Sequence, residues 1–358
     1  MKQNIAIIYG GRSGEHEVSC VSAASVLAHL DREKYEPVLI GVTYDLVWYL
    51  QQEPERKTEK LPIVEREENM VSVVPGRGLY VGSRALDVYC AFPLIHGTYG
   101  EDGTLQGLLE HSGIPYVGTS VLCSAIGMDK DRAKAVWIQS GLPVLPYLVI
   151  RKQDLPLKQE KHIEIERLLS YPLFVKPARG GSSVGISRAD NRQELEQACL
   201  EAVKYDDKLV IEQGLSGREI ECAVLGLHDE ITVFPAGEVA STHTFYDYQS
   251  KYHDPDSVTI RIPAALSEEQ HCLIQQLAKK AYRAIEGDGF ARVDFFFDET
   301  TGAFYINEIN TLPGFTSGSM YAMMAEKGGM DYKDLISHLV ELAIKRHTEK
   351  QNLCYKYQ

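Results

Sequence analysis

Residues 290–310 read FARVDFFFDETTGAFYINEIN, and this stretch decides the fold of the C-terminal part of the chain. Two runs rich in aromatic and β-branched residues flank the turn sequence DETTG, which predicts a β-hairpin. Because side chains alternate along a strand, any antiparallel register that pairs residues of equal parity separates a polar face from an apolar face. The polar face carries Arg292, Asp294, Glu308 and Asn310. The apolar face carries Val293, Phe295, Phe297, Tyr305 and Ile309, with Asn307 as an exception.

The polar face suits a divalent cation. Two carboxylates and an amide are hard oxygen ligands, which Mg²⁺ takes while keeping phosphates or waters at its remaining positions. Arg292 shares this face, and the second strand runs into Pro313-Gly314, where backbone N–H groups could approach a substrate. The alternation alone also fits a polar side that simply faces solvent, so that alternative stays open at this point.

A second stretch, YPLFVKPARGGSSVGIS at residues 171–187, predicts a phosphate-binding loop. Lys176 lies near the end of a predicted strand, and glycines and serines follow it. Glycines let backbone N–H donors approach phosphate oxygens closely. The motif is not a Walker A sequence, because the lysine precedes the glycines. Lys130, in GMDKDRAK, is a second candidate cation. A flexible hairpin loop and a solvated lysine are the respective alternatives.

Composition narrows the class of protein. The 358 residues predict two or three domains. A net charge of −13 disfavours a general nucleic-acid-binding protein. No apolar run approaches the roughly 20 residues that span a bilayer, and the opening MKQNIAIIYGG is too short for a signal peptide, so we expect no membrane insertion. The seven scattered cysteines include no C-x-x-C pair, which favours reduced thiols and a cytoplasmic location.

Three domains are predicted. Strand-like and helix-like stretches alternate through the first 120 residues, which favours a parallel, doubly wound α/β sheet over residues 1–121, with a solvated polar insertion near residue 55. Residues 122–216 form a central domain. The C-terminal domain, residues 217–358, is of α+β type and contains an aperiodic stretch, 241–257, that is typical of a lid or of a disordered segment. Near its end, residues 335–344 place one apolar stripe on a helix.

These residues also carry a resemblance. V-K-P with its Gly/Ser loop, E-Q-G-L-S-G-R-E, R-V-D-F and N-E-I-N-T-L-P-G resemble the ATP-grasp superfamily. Within it, four further stretches resemble the D-alanine–D-alanine ligase family: GGRSGEHEVS near the N-terminus, HGTYGEDGTLQG at 96–107, FYDYQSKY at 245–252 and GFTSGSM at 314–320. The resemblance covers essentially the whole chain in order. It implies an ATP-grasp fold preceded by a Rossmann-like pre-ATP-grasp domain, and a homodimer.

The resemblance further implies a reaction and its cofactors. ATP would lie between two antiparallel sheets and phosphorylate a first D-alanine, and the amine of a second D-alanine would displace the phosphate, for peptidoglycan precursor synthesis. The implied nucleotide-binding residues are Lys130, Lys176, Ser183, Glu212, Leu215, Glu219 and Lys251. Two Mg²⁺, which Mn²⁺ can replace, would be bound by Asp294, Glu308 and Asn310.

Roles near the two D-alanines are implied in the same way. Glu15 matches the carboxylate that pairs with the first ammonium, although charge complementarity at a helix N-terminus is the alternative for this residue taken alone. Ser182 and Tyr252 would join Glu15 in a hydrogen-bonded network. Arg292 and the backbone N–H of Gly314 would stabilise the tetrahedral oxyanion.

Three further residues complete the implied site. Ser319 and the N–H of Met320 would bind the carboxylate of the second D-alanine. His96 would lie near the first D-alanine, although a single histidine is more often structural. The lid, 241–257, would close over the reaction and exclude water.

Rival functions remain for comparison. A D-alanyl-D-lactate ligase or another ATP-grasp carboxylate–amine ligase would share the nucleotide and metal residues, but Tyr252 within S-K-Y favours an amine as second substrate. A non-catalytic binding module would not need the two lysines, the arginine, both acids and the amide together. A Rossmann dehydrogenase is disfavoured because Gly10-Gly11-x-x-Gly14 lacks the G-x-G-x-x-G spacing.

Overall fold

The computed structural model describes residues 2–182, 184–241 and 258–354. Ser183, Lys251 and Tyr252 lie outside the described residues, as does nearly all of the predicted lid. None of the helices in these three ranges combines the length and apolar character that crossing a bilayer requires. All seven cysteines are free thiols, five of them buried.

The N-terminal part contains β1 (Gln3–Gly10), α1 (His16–His29), β2 (Tyr35–Val42), β3 (Trp48–Gln51), β4 (Val71–Val74), β5 (Gly78–Val81), β6 (Arg84–Ala85), β7 (Cys90–Pro93) and α2 (Thr104–Ser112). The main sheet has the order β3-β2-β1-β7, and β1 is parallel to both β2 and β7. Alternate residues of β1 enter two different cores, with Ile7 on one side and Ile8 on the other. Both faces are therefore covered, as a doubly wound sheet requires.

Two details of this part differ from the sequence-based expectation. The sequence IPYVG at residues 114–118 is one of the strand-like stretches, but it forms only a single bridge between Tyr116 and Ala91, because Pro115 has no N–H to extend the ladder and the chain turns at Gly118. The small antiparallel sheet β4-β5-β6 was not predicted. Residues 55–60 are exposed, as expected of a polar insertion.

The central part contains α3 (Val121–Met128), α4 (Lys130–Gln139), β8 (Tyr147–Arg151), α5 (Gln159–Leu168), β9 (Leu173–Pro177), β10 (Ser187–Ala189), α6 (Arg192–Ala202) and β11 (Lys208–Gln213). Its antiparallel sheet has the order β10-β9-β11-β8. Helix α4 begins where Asp129 accepts a hydrogen bond from the Arg132 N–H, an N-cap that the sequence places immediately before Lys130. Lys130 is thereby fixed at the first turn of this helix.

The C-terminal part contains β12 (Arg218–Leu227), β13 (Glu230–Val233), β14 (Gly237–Ser241), β15 (Val258–Arg261), α7 (Glu268–Ala284), β16 (Gly289–Asp298), β17 (Ala303–Asn310), α8 (Met320–Lys327) and α9 (Tyr332–Gln351). Its sheet runs β15-β14-β12-β16-β17, with β13 paired to β12. The predicted hairpin is β16–β17, and it supplies one wall of the site described below.

A β-bulge at Asn307 divides this hairpin into two registers. Asp294 pairs with Glu308, but the next residue of β16, Phe295, pairs with Ile306. The prediction that Arg292, Asp294, Glu308 and Asn310 share one face is confirmed. The prediction that Tyr305 lies on the apolar face is wrong, because the extra residue reverses the parity before it. Phe304 and Ile306 enter the core instead.

Helix α9 packs against both the N-terminal sheet and the C-terminal sheet. Its predicted apolar stripe packs in the same core as Ile7 of β1, with Leu335, Ile336, Leu339, Val340 and Ala343 buried. Farther along this helix the Arg346 guanidinium donates to the carbonyls of Tyr116, Gly118 and Asp288 at 2.8, 2.5 and 2.6 Å. Helix α9 thus stabilises the segment around Tyr116 and Gly118, which follows the N-terminal sheet.

Candidate active site

Two adjoining cavities lie along the polar face of the hairpin. The hairpin-end cavity, about 410 Å³, is enclosed by the start of α1, the loop after β7 and the chain that follows β17. The inter-sheet cavity, about 390 Å³, lies between the central and C-terminal sheets. Residues on both linings are Lys130, Gly180, Gly181, Ser182, Glu221, Val239, Arg292 and Glu308. The two cavities therefore form one continuous site.

The structure brings together every predicted site residue that it describes. The hairpin-end cavity is lined by Glu15, His96, Lys130, Ser182, Arg292, Glu308, Asn310, Gly314, Ser319 and Met320. The inter-sheet cavity adds Lys176, Glu212, Leu215, Glu219 and Asp294. Residues that are far apart in sequence thus meet at one polar wall.

Three buried charged side chains form a cluster beside the inter-sheet cavity, and two of them, Lys176 and Glu212, line it. The Glu212 carboxylate accepts a hydrogen bond from Lys176 Nζ at 2.5 Å, and its other oxygen accepts one from Lys134. Burial opposes ionisation of this carboxyl, but the two ammonium groups outweigh it and lower the pKa of Glu212 to about 2. Glu212 is therefore an anion shared by two cations. Sequence reasoning gave Lys134 no role.

Lys130 and Lys176 approach the hairpin from the central sheet. Lys130 Nζ donates to the Gly180 carbonyl at 2.7 Å and lies 3.2 Å from a carboxylate oxygen of Glu308. Lys176 Nζ donates to Oδ1 of Asn307 at 3.1 Å. Asn307 was visible in the sequence only as a polar exception on the apolar face, and the bulge turns it toward the lysine. The two cations are thus positioned opposite the acidic side chains.

Arg292 contacts two acidic side chains, Asp294 and Glu221. Its guanidinium donates two hydrogen bonds of 2.7 Å to Asp294 and lies 3.0 Å from Glu221, on the neighbouring strand. Burial would lower the pKa of Arg292, but Asp294 and Glu221 raise it well above its ordinary value, so the charge is permanent. Asn310 donates its amide N–H to Asp294 at 2.9 Å, which leaves the amide oxygen directed elsewhere.

The donor set on this face fits a hard divalent cation. Asp294 and Glu308 are paired across the hairpin, and Asn310 contributes an amide oxygen on the same face. In the ranges that the structure describes, no group of three or more His, Cys, Asp or Glu side chains forms a metal site by itself. Mg²⁺ completes its coordination with phosphates and waters, so two carboxylates and an amide suffice for it.

The hairpin-end cavity also has polar side chains that carry no charge. His96 is buried; its Nδ1 lies 3.0 Å from the Leu312 carbonyl, and its Nε2 lies 2.9 Å from Ser22 Oγ. A carbonyl only accepts, so Nδ1 carries the proton, and burial lowers the pKa of His96. Ser182 has a left-handed backbone, φ +51°, and its hydroxyl has no hydrogen-bond partner within the described part of the chain.

Glu101 is a residue of this site that sequence reasoning missed. It lines the hairpin-end cavity, accepting from the N–H groups of Gly97 and Leu312 at 2.8 and 3.3 Å. Its motif, HGTYGEDG, carries part of the family resemblance. Nothing in the spacing of this motif indicates a contact with Leu312, which is distant in sequence. Only the tertiary structure brings the two segments together.

Comparisons with known proteins agree along the whole chain. The family model described as "D-ala D-ala ligase N-terminus" matches residues 4–119, and "D-ala D-ala ligase C-terminus" matches residues 136–341. A "D-alanine--D-alanine ligase" of Treponema denticola is 44% identical over 363 residues, covering 98% of each chain. One of Heliobacterium modesticaldum is 46% identical over 368 residues, covering 98% of this chain and 97% of the relative.

Two solved structures of related ligases have a similar fold over nearly the whole chain. The VanG D-Ala:D-Ser ligase from Enterococcus faecalis superimposes with a TM-score of 0.84 at 35% identity, covering 96% of this chain and all of the other. The D-alanine-D-alanine ligase from Coxiella burnetii also gives 0.84 at 35% identity, covering 98% of this chain and 96% of the other. Fold and site together define a ligase with the ATP-grasp fold. Within that class, the chain belongs to the D-alanine–D-alanine ligase family.

Proposed function

We propose that this protein joins two D-alanines into D-alanyl-D-alanine through a D-alanyl phosphate, converting ATP to ADP and phosphate, and so supplies a peptidoglycan precursor for the cell wall. One observation carries the proposal. The face formed by Arg292, Asp294, Glu308 and Asn310 lies on one continuous site with Lys130 and Lys176. That combination suits activation of a carboxylate by a nucleoside triphosphate, because charge on the transferring phosphoryl group must be neutralised from both sides.

The nucleotide is assigned to the inter-sheet cavity. Lys130 and Lys176 would bind the phosphates, with Ser183 as a further predicted donor outside the described residues. Glu212, Leu215 and Glu219 line the same cavity. We place the adenine at Glu212 and the backbone around Leu215, and the ribose at Glu219. On nucleotide binding, Lys134 would continue to neutralise Glu212, leaving this carboxylate ionised as an acceptor for the adenine amino group.

Two divalent cations are part of the proposal. Asp294, Glu308 and Asn310 would bind Mg²⁺, or Mn²⁺ in its place. When bound, the metals supply Lewis-acid stabilisation of the phosphoryl group during transfer. The part of Arg292 is to orient Asp294, since both carboxylate oxygens accept its N–H groups.

The first D-alanine is assigned to the hairpin-end cavity. Glu15 would pair with its ammonium group, while Arg292 and the Gly314 N–H would stabilise the oxyanion that forms when the second amine attacks the acyl phosphate. Loss of one such donor typically lowers the rate on the order of 10²–10³-fold. Neutral His96 would pack beside the substrate without adding charge.

The second D-alanine would bind where α8 begins. Ser319 is the N-cap residue of this helix, and Met320 is its first residue. Backbone N–H groups and the positive end of the dipole at a helix N-terminus suit a carboxylate. Ser182, with its unpartnered hydroxyl, would join Glu15 and Tyr252 in the hydrogen-bonded network that the family resemblance implies. Lys251 and the lid stay predictions.

Product analysis tests the proposal directly. The protein is incubated with ATP, Mg²⁺ and D-alanine, and parallel reactions replace D-alanine with L-alanine or add D-lactate or D-serine as second substrate. We expect D-alanyl-D-alanine and ADP in equal amounts, and no turnover after chelation of the metal. Equal turnover with L-alanine would refute the assignment. A depsipeptide or D-alanyl-D-serine as main product would instead favour the alternative ligases.

We also propose a cytoplasmic homodimer. The location agrees with the free thiols and with a nucleotide substrate, and the dimer rests on the family resemblance alone. Sedimentation of the purified protein at two concentrations, with and without nucleotide, tests the oligomeric state. A monomer under both conditions would contradict it.

A further inference from the structure

Leu312 is hydrogen-bonded through both its N–H and its carbonyl to side chains of the loop after β7. Its N–H donates to Oε2 of Glu101 at 3.3 Å, and its carbonyl accepts from Nδ1 of His96 at 3.0 Å. The other oxygen of Glu101 accepts from the Gly97 N–H at 2.8 Å. A third contact runs from the Thr311 hydroxyl to the Glu101 carbonyl at 3.3 Å. One carboxyl group thus bridges two backbone segments of different domains.

This bridge lies between the two groups proposed to bind the first substrate. Glu15 packs against Gly97, at one end of the bridge, because a Cβ built on Gly97 would lie only 2.8 Å from Oε2 of Glu15. Gly314 follows Leu312 by two residues. All of these residues line the same cavity. The separation between Glu15 and the Gly314 N–H therefore depends on how the two loops are joined.

We propose that Glu101 is a positioning residue for the ligation: by bridging the N–H groups of Gly97 and Leu312, it sets the distance between Glu15 and the Gly314 N–H. This inference rests on the proposed function of both groups. Glu101 touches no reacting atom. Its effect is to place Glu15 and the Gly314 N–H where both can contact the same substrate molecule. This positioning concerns the geometry of the substrate site and leaves the affinity for ATP unchanged.

The bridge depends on the reach of the side chain more than on its charge. Burial and the nearby Glu15 carboxylate raise the pKa of Glu101 to about 8, although the two N–H donors act in the opposite direction. Glutamine has the same length but keeps only one of the two contacts, because its NH₂ group cannot accept from an N–H. Aspartate keeps the carboxyl group but is one methylene shorter, so it cannot contact both N–H groups without moving a loop.

The test compares Glu101→Gln, Glu101→Asp and Glu101→Ala by steady-state kinetics. We expect kcat to fall by about tenfold in the glutamine variant, which loses one of the two contacts but keeps the length of the side chain. The aspartate and alanine variants should lose on the order of 100-fold, with the KM for ATP unchanged in all three. Hydrogen exchange of the peptide containing Leu312 should accelerate in the aspartate and alanine variants. An aspartate variant as active as the glutamine variant, or three variants with wild-type kcat, would overturn the proposal.

Glu110→Gln is the matched control. Glu110 also joins the N-terminal part to α9, through Lys350, but it lies outside both cavities. A general loosening between domains would affect this variant equally, whereas positioning at the site predicts wild-type kcat. Failure of the wild-type protein to turn over D-alanine would refute the proposed function itself. Normal wild-type turnover with no response at Glu101 would refute the positioning role alone.

Discussion

Replacing Glu212 by glutamine should destabilise the protein markedly at neutral pH. The side chain shares its two oxygens between Lys134 and Lys176, and all three side chains are buried. The fall in the pKa of Glu212 from 4.5 to about 2 corresponds to roughly 3 kcal/mol at about 1.4 kcal/mol per pKa unit. Loss of one partner from a buried ion pair typically costs a similar 3–5 kcal/mol. We therefore expect the free energy of unfolding to fall by about 3 kcal/mol.

The pH dependence gives this prediction a second signature. A carboxyl group whose pKa is lower in the folded state binds fewer protons there than in the unfolded chain. Its stabilising contribution is therefore fully present above the unfolded value of about 4.5, and it is lost as the pH falls toward 2. The stability difference between the wild-type protein and Glu212→Gln should shrink over that interval.

Urea denaturation at neutral pH and at about pH 3.5 measures both effects. Glu201→Gln is the control, because Glu201 forms an exposed ion pair with Lys204. Removal of such a surface pair should change stability by no more than about 1 kcal/mol. If Glu212→Gln cost as little as the control, or if its deficit were unchanged at acidic pH, the three groups would not form the coupled cluster inferred here.

Three further predictions concern other parts of the molecule. Glu308→Gln should keep the fold, judged by circular dichroism, and lose at least about 100-fold in D-alanine-dependent ADP release, because a charged ligand of the proposed metal is removed; substantial turnover at saturating Mg²⁺ would contradict this role. Arg346→Ala should lower the free energy of unfolding by roughly 3 kcal/mol, since three carbonyls lose a charged donor; a wild-type denaturation midpoint would contradict it. Gly289→Ala should cost about 2 kcal/mol or more, because φ is +151° and the added Cβ would lie 2.4 Å from the Gly118 carbonyl oxygen; Gly302→Ala, where φ is +72° but the added Cβ meets nothing within 4 Å, separates the effect of the steric contact from that of the backbone angle.

The hairpin shows how far sequence alternation can be used and where it stops. Period-two alternation correctly predicted that Arg292, Asp294, Glu308 and Asn310 share a face. It could not predict the bulge, because an extra residue in one strand leaves no compositional signal apart from the misplaced polarity of Asn307. The consequence was the wrong face for Tyr305, five residues before the end of the strand.

Contacts between distant segments were the other limit. The apolar stripe of α9 follows from local spacing, so it was predicted. The pairing of Lys134 with Glu212 depends on how a helix packs on the central sheet. The contact of Glu101 with Leu312 depends on the docking of two domains. Neither arrangement has a local sequence pattern, and both needed the tertiary structure.

The packing of α9 has a consequence for how the protein is made. One face of the first strand, including Ile7, is covered by residues that lie far later in the sequence, such as Leu339. During synthesis this apolar surface stays uncovered until α9 has left the ribosome, which is a period of exposure to aggregation and to chaperones. A chain truncated before residue 332 should consequently be degraded by protease much faster than one that includes α9, even within its first 120 residues.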